Sequence, residues 1–163
     1  AALKEQGLDV EFLTERAREH IARKRYLFGD PVLTDHDQYE IMLDQADAQK
    51  YLDRPTTMVV CDSDPLLTML YMSEDFRKTL SVVFLAQSVA ENNGILFYCP
   101  PLPSYTVEGN RIHDAAFAST IDSQIIPHYK KYLKPDQKIV TLPVGSVKDK
   151  VEYAISKLYG IGI

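Results

Sequence analysis

Short apolar runs of strand length alternate along the chain with stretches in which apolar residues recur every three or four positions. "DVEFL" (9–13) predicts a first strand, followed by a helix from Thr14 to Leu27. "GDPVLTD" (29–35) predicts a loop, and a helix from His36 to Leu52 carries Tyr39, Met42, Leu43 and Ala46 on one face. "TTMVVC" (56–61) is the second strand. A short helix over Pro65–Tyr71 comes next, then a long one capped by Ser73, with Phe76, Leu80, Val83, Phe84 and Gln87 on the helical period and "NNG" (92–94) at its end. "ILFYC" (95–99) is the third strand and "PPLPSYTVEGNR" (100–111) a Pro-rich loop. Asp114 caps a helix with Phe117, Ile121 and Ile125 spaced by four. "KIVTL" (138–142) is the fourth strand, and Ser146 opens a last helix with Val147, Val151, Ala154, Ile155 and Leu158 directed inward.

Strands separated by helices predict an α/β fold, a doubly wound parallel sheet with helices on both faces. No internal repeat, low-complexity tract or linker divides residues 1–163, so one domain is expected. The opening "AALKEQG" has the form of a helix tail closed by Gly7. That predicts a domain truncated at its N-terminus, with its first strand missing.

Length and composition narrow the functional classes. A chain of 163 residues buries about 68–70% of its unfolded surface, enough for a substantial core. A net charge of −5 argues against a nucleic-acid surface, which needs clustered Lys and Arg. The one dense basic run, "RAREHIARKR" (16–25), reads as a solvated helix face. Cys61 and Cys99 lie in apolar runs without metal-ligand spacing, so two buried thiols in a reducing compartment are expected. No apolar stretch of membrane-spanning length and no signal peptide occurs, and the expected location is cytoplasmic. His20, His36, His113 and His128 show no ligand spacing, and most of them are expected at the surface or at helix caps.

The candidate chemistry centres on "VVCDSDPLLT" (59–68). A β-branched run stops at Asp62, and open α/β sheets bind ligands at the carboxyl ends of their strands. Pro65 suits the first position of a helix, which makes Asp64 an N-cap by one reading and a general base by another.

In their order along the chain, "DVEFLTERARE", "VVCDSD" and the Pro-rich loop with "EGNR" resemble the P-loop kinase domain related to bacterial nicotinamide riboside kinase. The resemblance implies ATP-dependent phosphoryl transfer to a hydroxyl of a nucleoside-like small molecule, with ATP and Mg²⁺ as cofactors. It implies Asp62 as the Mg²⁺ carboxylate, and Asp64 or Glu15 at the acceptor hydroxyl. Glu108, Gly109 and Arg111 match an acid-Gly-x-Arg lid, in which Arg111 would steady the transferring phosphate. Arg18 and Tyr105 are the implied substrate contacts, the first as orienter or phosphate clamp and the second as a stacking ring.

Two departures keep alternatives open. The phosphate-binding loop Gly-x-x-x-x-Gly-Lys-Ser/Thr does not occur in these 163 residues. Such a chain also fits a non-catalytic nucleotide- or partner-binding module. "VVCDSDPLLT" (59–68) taken alone resembles the Asp-x-Asp-x-Thr opening of haloacid-dehalogenase-type phosphatases, with Asp62 as the nucleophile, but Pro65 stands where that motif has Gly, and no acid pair follows at the end of a later strand. Plain readings remain for the remaining residues too: Glu15 as a first-turn acid on its helix, Arg111 as a surface arginine.

Overall fold

The computed structural model describes residues 2–5, 7–29, 32–52, 58–92, 94–101 and 114–160. The chain begins with a helical turn α1 (Ala2–Glu5), which closes at Gly7 with φ 80° and Gly7 N–H donating to Lys4 C=O. β1 (Val10–Leu13) follows, then α2 (Ala17–Phe28) and α3 (Asp35–Leu52). β2 (Met58–Cys61) leads into a compound helix, α4 (Pro65–Thr68) continued by a 3₁₀ turn over Met69–Tyr71. α5 (Glu74–Arg77), α6 (Leu80–Asn92), β3 (Ile95–Tyr98), α7 (Ala115–Tyr129), β4 (Lys138–Thr141) and α8 (Val147–Tyr159) complete the order.

Local chemistry sets most of the boundaries. α2 ends at Gly29, whose φ of 70° forms the left-handed cap that a side chain with Cβ adopts only at a cost. Thr34 and Asp37 exchange bonds at the start of α3: Asp37 N–H donates to Thr34 Oγ1, and Thr34 N–H donates back to the carboxylate. Burial pushes the Asp37 carboxyl up, but bonds from Lys24 and Thr34 and the lysine's charge outweigh that and hold it at about 2. Asp114 accepts from Phe117 N–H at the head of α7, and Ser146 with Asp149 forms a reciprocal capping box on α8.

Among the described residues all strand pairing is parallel, as the alternation of strand and helix predicts. The continuity of the pairing is where the structure departs from one doubly wound sheet. β1 pairs with β2, in register from Val10↔Met58 to Leu13↔Cys61, and β3 pairs with β4, from Ile95↔Lys138 to Tyr98↔Thr141. Among the described residues these are two separate two-stranded sheets.

The core lies where α3, the α4 turn, α6 and the end of α7 meet. Met42, Leu66, Met69, Val82 and Ala86 are fully buried there, beside Ala46, Val89, Ala90 and Tyr129. The expected long helix from Ser73 is two helices. Ser73 does cap the first, but α5 closes at Lys78 with short-range bonds to Asp75 and Phe76, and Thr79 Oγ1 donates to Phe76 C=O. The phase therefore restarts at Leu80. α6 turns its small stripe of Val82, Ala86, Val89 and Ala90 inward, and leaves Leu80 and Phe84 74% and 67% exposed. Leu43, on the expected inner face of α3, is likewise exposed beside buried Met42 and Ala46.

α8 corrects a second expectation. No residue in it is buried, and Val147 is 79% exposed, whereas Leu158 lines the cavity between the two sheets. The amphipathic pattern is present, but of its apolar side Leu158 alone is among the cavity's lining residues, and none of that side is buried. The thiols differ as well: Cys61 is half-buried and Cys99 exposed. Of the histidines, His128 is the exception to the surface or cap position expected for most of them, buried at 5% exposure.

Candidate functional site

β1 and β2 run parallel and end together, so the residues that follow them share one edge of the sheet. Asp62 N–H donates to Leu13 C=O at 2.9 Å and extends the ladder one residue past Cys61. The Asp62 side chain is exposed and borders the cavity of about 870 Å³ between β2 and β3. Among the described residues its carboxylate has no hydrogen-bond or ion-pair partner. A lone carboxylate facing an open cavity fits Mg²⁺, which retains most of its waters and needs only one or two protein oxygens.

Asp64 is held differently. It caps α4 in an extended conformation, with its Oδ1 accepting from Leu66 N–H at 2.8 Å and from the Tyr129 hydroxyl at 3.1 Å. Pro65 occupies the first helical position, as its fixed φ favours. The cap reading of Asp64 is thus realised, with a phenol as its second ligand. Asp64→Asn preserves an acceptor oxygen for both bonds and should leave stability within about 0.5 kcal/mol, because Asn caps as well as Asp. Asp64→Ala removes the cap and strands a buried phenol, an expected loss of about 1–3 kcal/mol in urea unfolding. A stable Asn variant that has lost phosphoryl transfer would assign the carboxylate a catalytic role in addition to the cap.

Three further side chains position this turn, and none of them is a sequence candidate. Gln45 of α3 is buried; its Oε1 accepts from Arg16 N–H at 3.2 Å and its Nε2 donates to Ser63 C=O at 2.9 Å. It ties the loop after β1 to the loop after β2. Tyr129 anchors Asp64 from the end of α7, and burial together with the Asp64 carboxylate pushes its phenol well above its ordinary range. His128 Nε2 donates to Leu66 C=O at 2.9 Å, and burial pushes its imidazole down, so the ring is neutral there with its proton on Nε2. The sequence carries one weak signal for Gln45: it lies on the stripe of buried Gln38 and Met42, where an amide in an apolar face needs partners.

The remaining candidates divide. Glu15 lies beyond the end of β1 at the same edge as Asp62, and its Oε2 accepts from Arg18 Nε at 3.3 Å, a surface pair with Arg18 74% exposed. Among the described residues no hydrogen bond or ion pair joins either of them to Asp62. Tyr105, Glu108, Gly109 and Arg111 lie outside the described residues, as does His113.

Around the cavity, burial pushes the Cys61 thiol up, against a bond from Gln49 Nε2 at 3.1 Å, so the thiol stays protonated at neutral pH. Tyr98 closes β3 by donating to Asp122 Oδ1 at 2.7 Å; burial and that carboxylate push its phenol up to about 12. Neither group acts as a neutral-pH base. Among the described residues no three His, Cys, Asp or Glu side chains converge into a metal cage, and no helix is long and apolar enough to cross a membrane.

No curated protein and no solved structure matches this chain. A family model described as an AAA domain matches residues 1–150. Parallel strands joined by helices, with acids placed at the carboxyl end of β2, agree with that match. The chain belongs to the AAA domain family, a family of the P-loop NTPase type.

Proposed function

We propose that the protein is a P-loop small-molecule kinase, passing the γ-phosphate of ATP to a hydroxyl of a nucleoside-like acceptor in the cytoplasm. Nicotinamide riboside is the acceptor that the family resemblance implies. The observation that carries the reading is Asp62: a carboxylate with no partner among the described residues, at the carboxyl end of a parallel strand and bordering a cavity. Acids at this place in P-loop domains serve the metal of the nucleotide. Mg²⁺, when bound, offsets charge on the phosphate oxygens.

The chain's own residues have distinct parts. Asp62 would hold the hydrated metal, and Gln45 keeps the Asp62 turn level with the loop that bears Glu15. Glu15 would accept a hydrogen bond from the acceptor hydroxyl and take its proton, with Arg18 orienting the carboxylate. Asp64 is the second candidate for that proton, although its Oδ1 already accepts two bonds. Arg111 would steady the transferring phosphate and Tyr105 would stack on the acceptor's ring. The motif Gly-x-x-x-x-Gly-Lys-Ser/Thr does not occur in residues 1–163, so the reading requires a polypeptide that supplies a phosphate-binding loop.

The test is direct. The native polypeptide is incubated with ATP, Mg²⁺ and nicotinamide riboside, and the nucleoside monophosphate is sought by mass spectrometry. Its formation, dependent on Mg²⁺, supports the reading. ATP binding without transfer to this or other nucleosides would leave a non-catalytic nucleotide-binding module instead.

A further inference from the structure

The side chain of Gln45 joins two backbone planes that belong to different loops. Its Oε1 accepts from Arg16 N–H at 3.2 Å, and its Nε2 donates to Ser63 C=O at 2.9 Å. The partners fix the orientation of the amide, because a backbone N–H needs an acceptor and a carbonyl needs a donor. A peptide unit is planar, so Arg16 N–H moves with the Cα of Glu15, and Ser63 C=O moves with the Cα of Asp64. One side-chain amide therefore links the two candidates for the acceptor's proton, and Asp62 precedes Ser63 in the chain.

The link has little slack. Gln45 is 3% exposed, and a buried amide that lets go of either partner leaves buried polar groups unsatisfied. The helix that bears it, α3, packs against both β1 and β2. It is also fastened on both sides by polar contacts. Toward α2, His20 Nε2 and Asp44 Oδ2 lie 2.8 Å apart, and Lys24 pairs with Asp37. Toward β2, Gln49 Nε2, one turn on from Gln45, donates to Cys61 Sγ at 3.1 Å. α3 is thus a common mount, and Gln45 bonds both loops from it.

We infer that Gln45 makes acceptor binding and metal–nucleotide binding cooperative: occupancy at Glu15 raises affinity at Asp62, and the reverse, through the Arg16–Gln45–Ser63 link. The inference rests on the proposed function, which supplies the two ligands, and adds a coupling between their sites. A ligand held by Glu15 orders the loop after β1. The amide passes that order to the turn at Ser63, so the second ligand meets a turn already fixed and loses less conformational entropy on binding. The effect is equal in both directions, because coupling between two binding sites is reciprocal. Gln45 touches neither ligand and is a positioning residue.

Calorimetry on the native polypeptide tests the coupling. The Kd of a non-transferable ATP analogue with Mg²⁺ is measured with and without saturating nicotinamide riboside. The two values are expected to differ by about fivefold or more, the lower end of ordinary coupling between sites. In Gln45→Glu an ionised carboxylate still accepts from Arg16 N–H but cannot donate to Ser63 C=O. Its ratio should fall to near one at about pH 8 and recover toward wild type at about pH 5.5, because burial raises the carboxyl's pKa. The protonated carboxyl again offers one acceptor and one donor. Glu15, Arg16, His20, Asp44, Asp62 and Asp64 are the ionisable groups around the link. They are common to both proteins, so the wild-type ratio at each pH is the reference. A merely stabilising Gln45 would change the unfolding midpoint and leave the ratio alone.

A ratio of one in the wild-type protein overturns the inference, and so does a Gln45→Glu ratio equal to wild type at both pH values. Should the variant not fold, the NMR resonances of the Gln45 side-chain amide in the wild-type protein replace it. They are expected to shift when either ligand is added alone, and an amide that responds to one ligand or to neither overturns the link. Failure of the proposed function looks different. A polypeptide that does not bind both probes removes that function and the coupling with it, whereas one that binds both independently keeps the function and loses the coupling.

Discussion

Asp62→Asn in the native polypeptide is expected to lower phosphoryl transfer about 100-fold or more while leaving the fold intact. The side chain is exposed, has no partner among the described residues, and borders the cavity. Asparagine retains the size and one acceptor oxygen but loses the charge that binds a hydrated cation. The loss should therefore appear together with a raised Mg²⁺ requirement, measured by initial rates over a Mg²⁺ titration. Thermal unfolding should be unchanged, since the Asp62 contribution to the ladder is its backbone N–H to Leu13. Near-normal turnover at saturating Mg²⁺ would return Asp62 to an ordinary strand-ending turn residue.

The largest expected loss of stability belongs to Gln45→Leu, a change of similar volume that removes both polar atoms. Gln45 is 3% exposed and serves two backbone groups, Arg16 N–H and Ser63 C=O, which leucine leaves without partners. Each unsatisfied buried group costs about 1–3 kcal/mol, so the pair predicts a loss of roughly 2–6 kcal/mol in urea unfolding. Gln45 also couples the loops after β1 and β2, so the variant should lose acceptor affinity even when folded. A loss below about 0.5 kcal/mol would show that water replaces the amide and that the clamp is not what sets the turn.

Strand and helix order was legible in the residues, because hydrophobic period and capping chemistry are local properties. The α4 start at Asp64–Pro65, the α7 cap at Asp114 and the α8 cap at Ser146 all occur where their side chains predict. The inward faces were less legible. In α6 a break at Lys78–Thr79 resets the helical phase, and the larger residues Leu80 and Phe84 lie outside because small residues permit closer packing inside. A periodic pattern identifies an apolar stripe, but the neighbours that cover it belong to distant parts of the chain.

The same division applies to the site. Sequence by itself brought Asp62 to the end of an apolar strand and made Asp64 a cap, since both follow from residue type and the adjacent proline. Only tertiary structure decided that Tyr129, 65 positions away, donates to Asp64, that Gln45 joins two loops, and that His128 is buried against Leu66. Those are long-range hydrogen bonds between groups whose types are common and whose spacing follows no period. The break between β2 and β3 is of the same kind. Each strand reads as an apolar run whether it has one neighbour or two, because strand pairing depends on where the chain returns in space, and the residues within a strand do not record that.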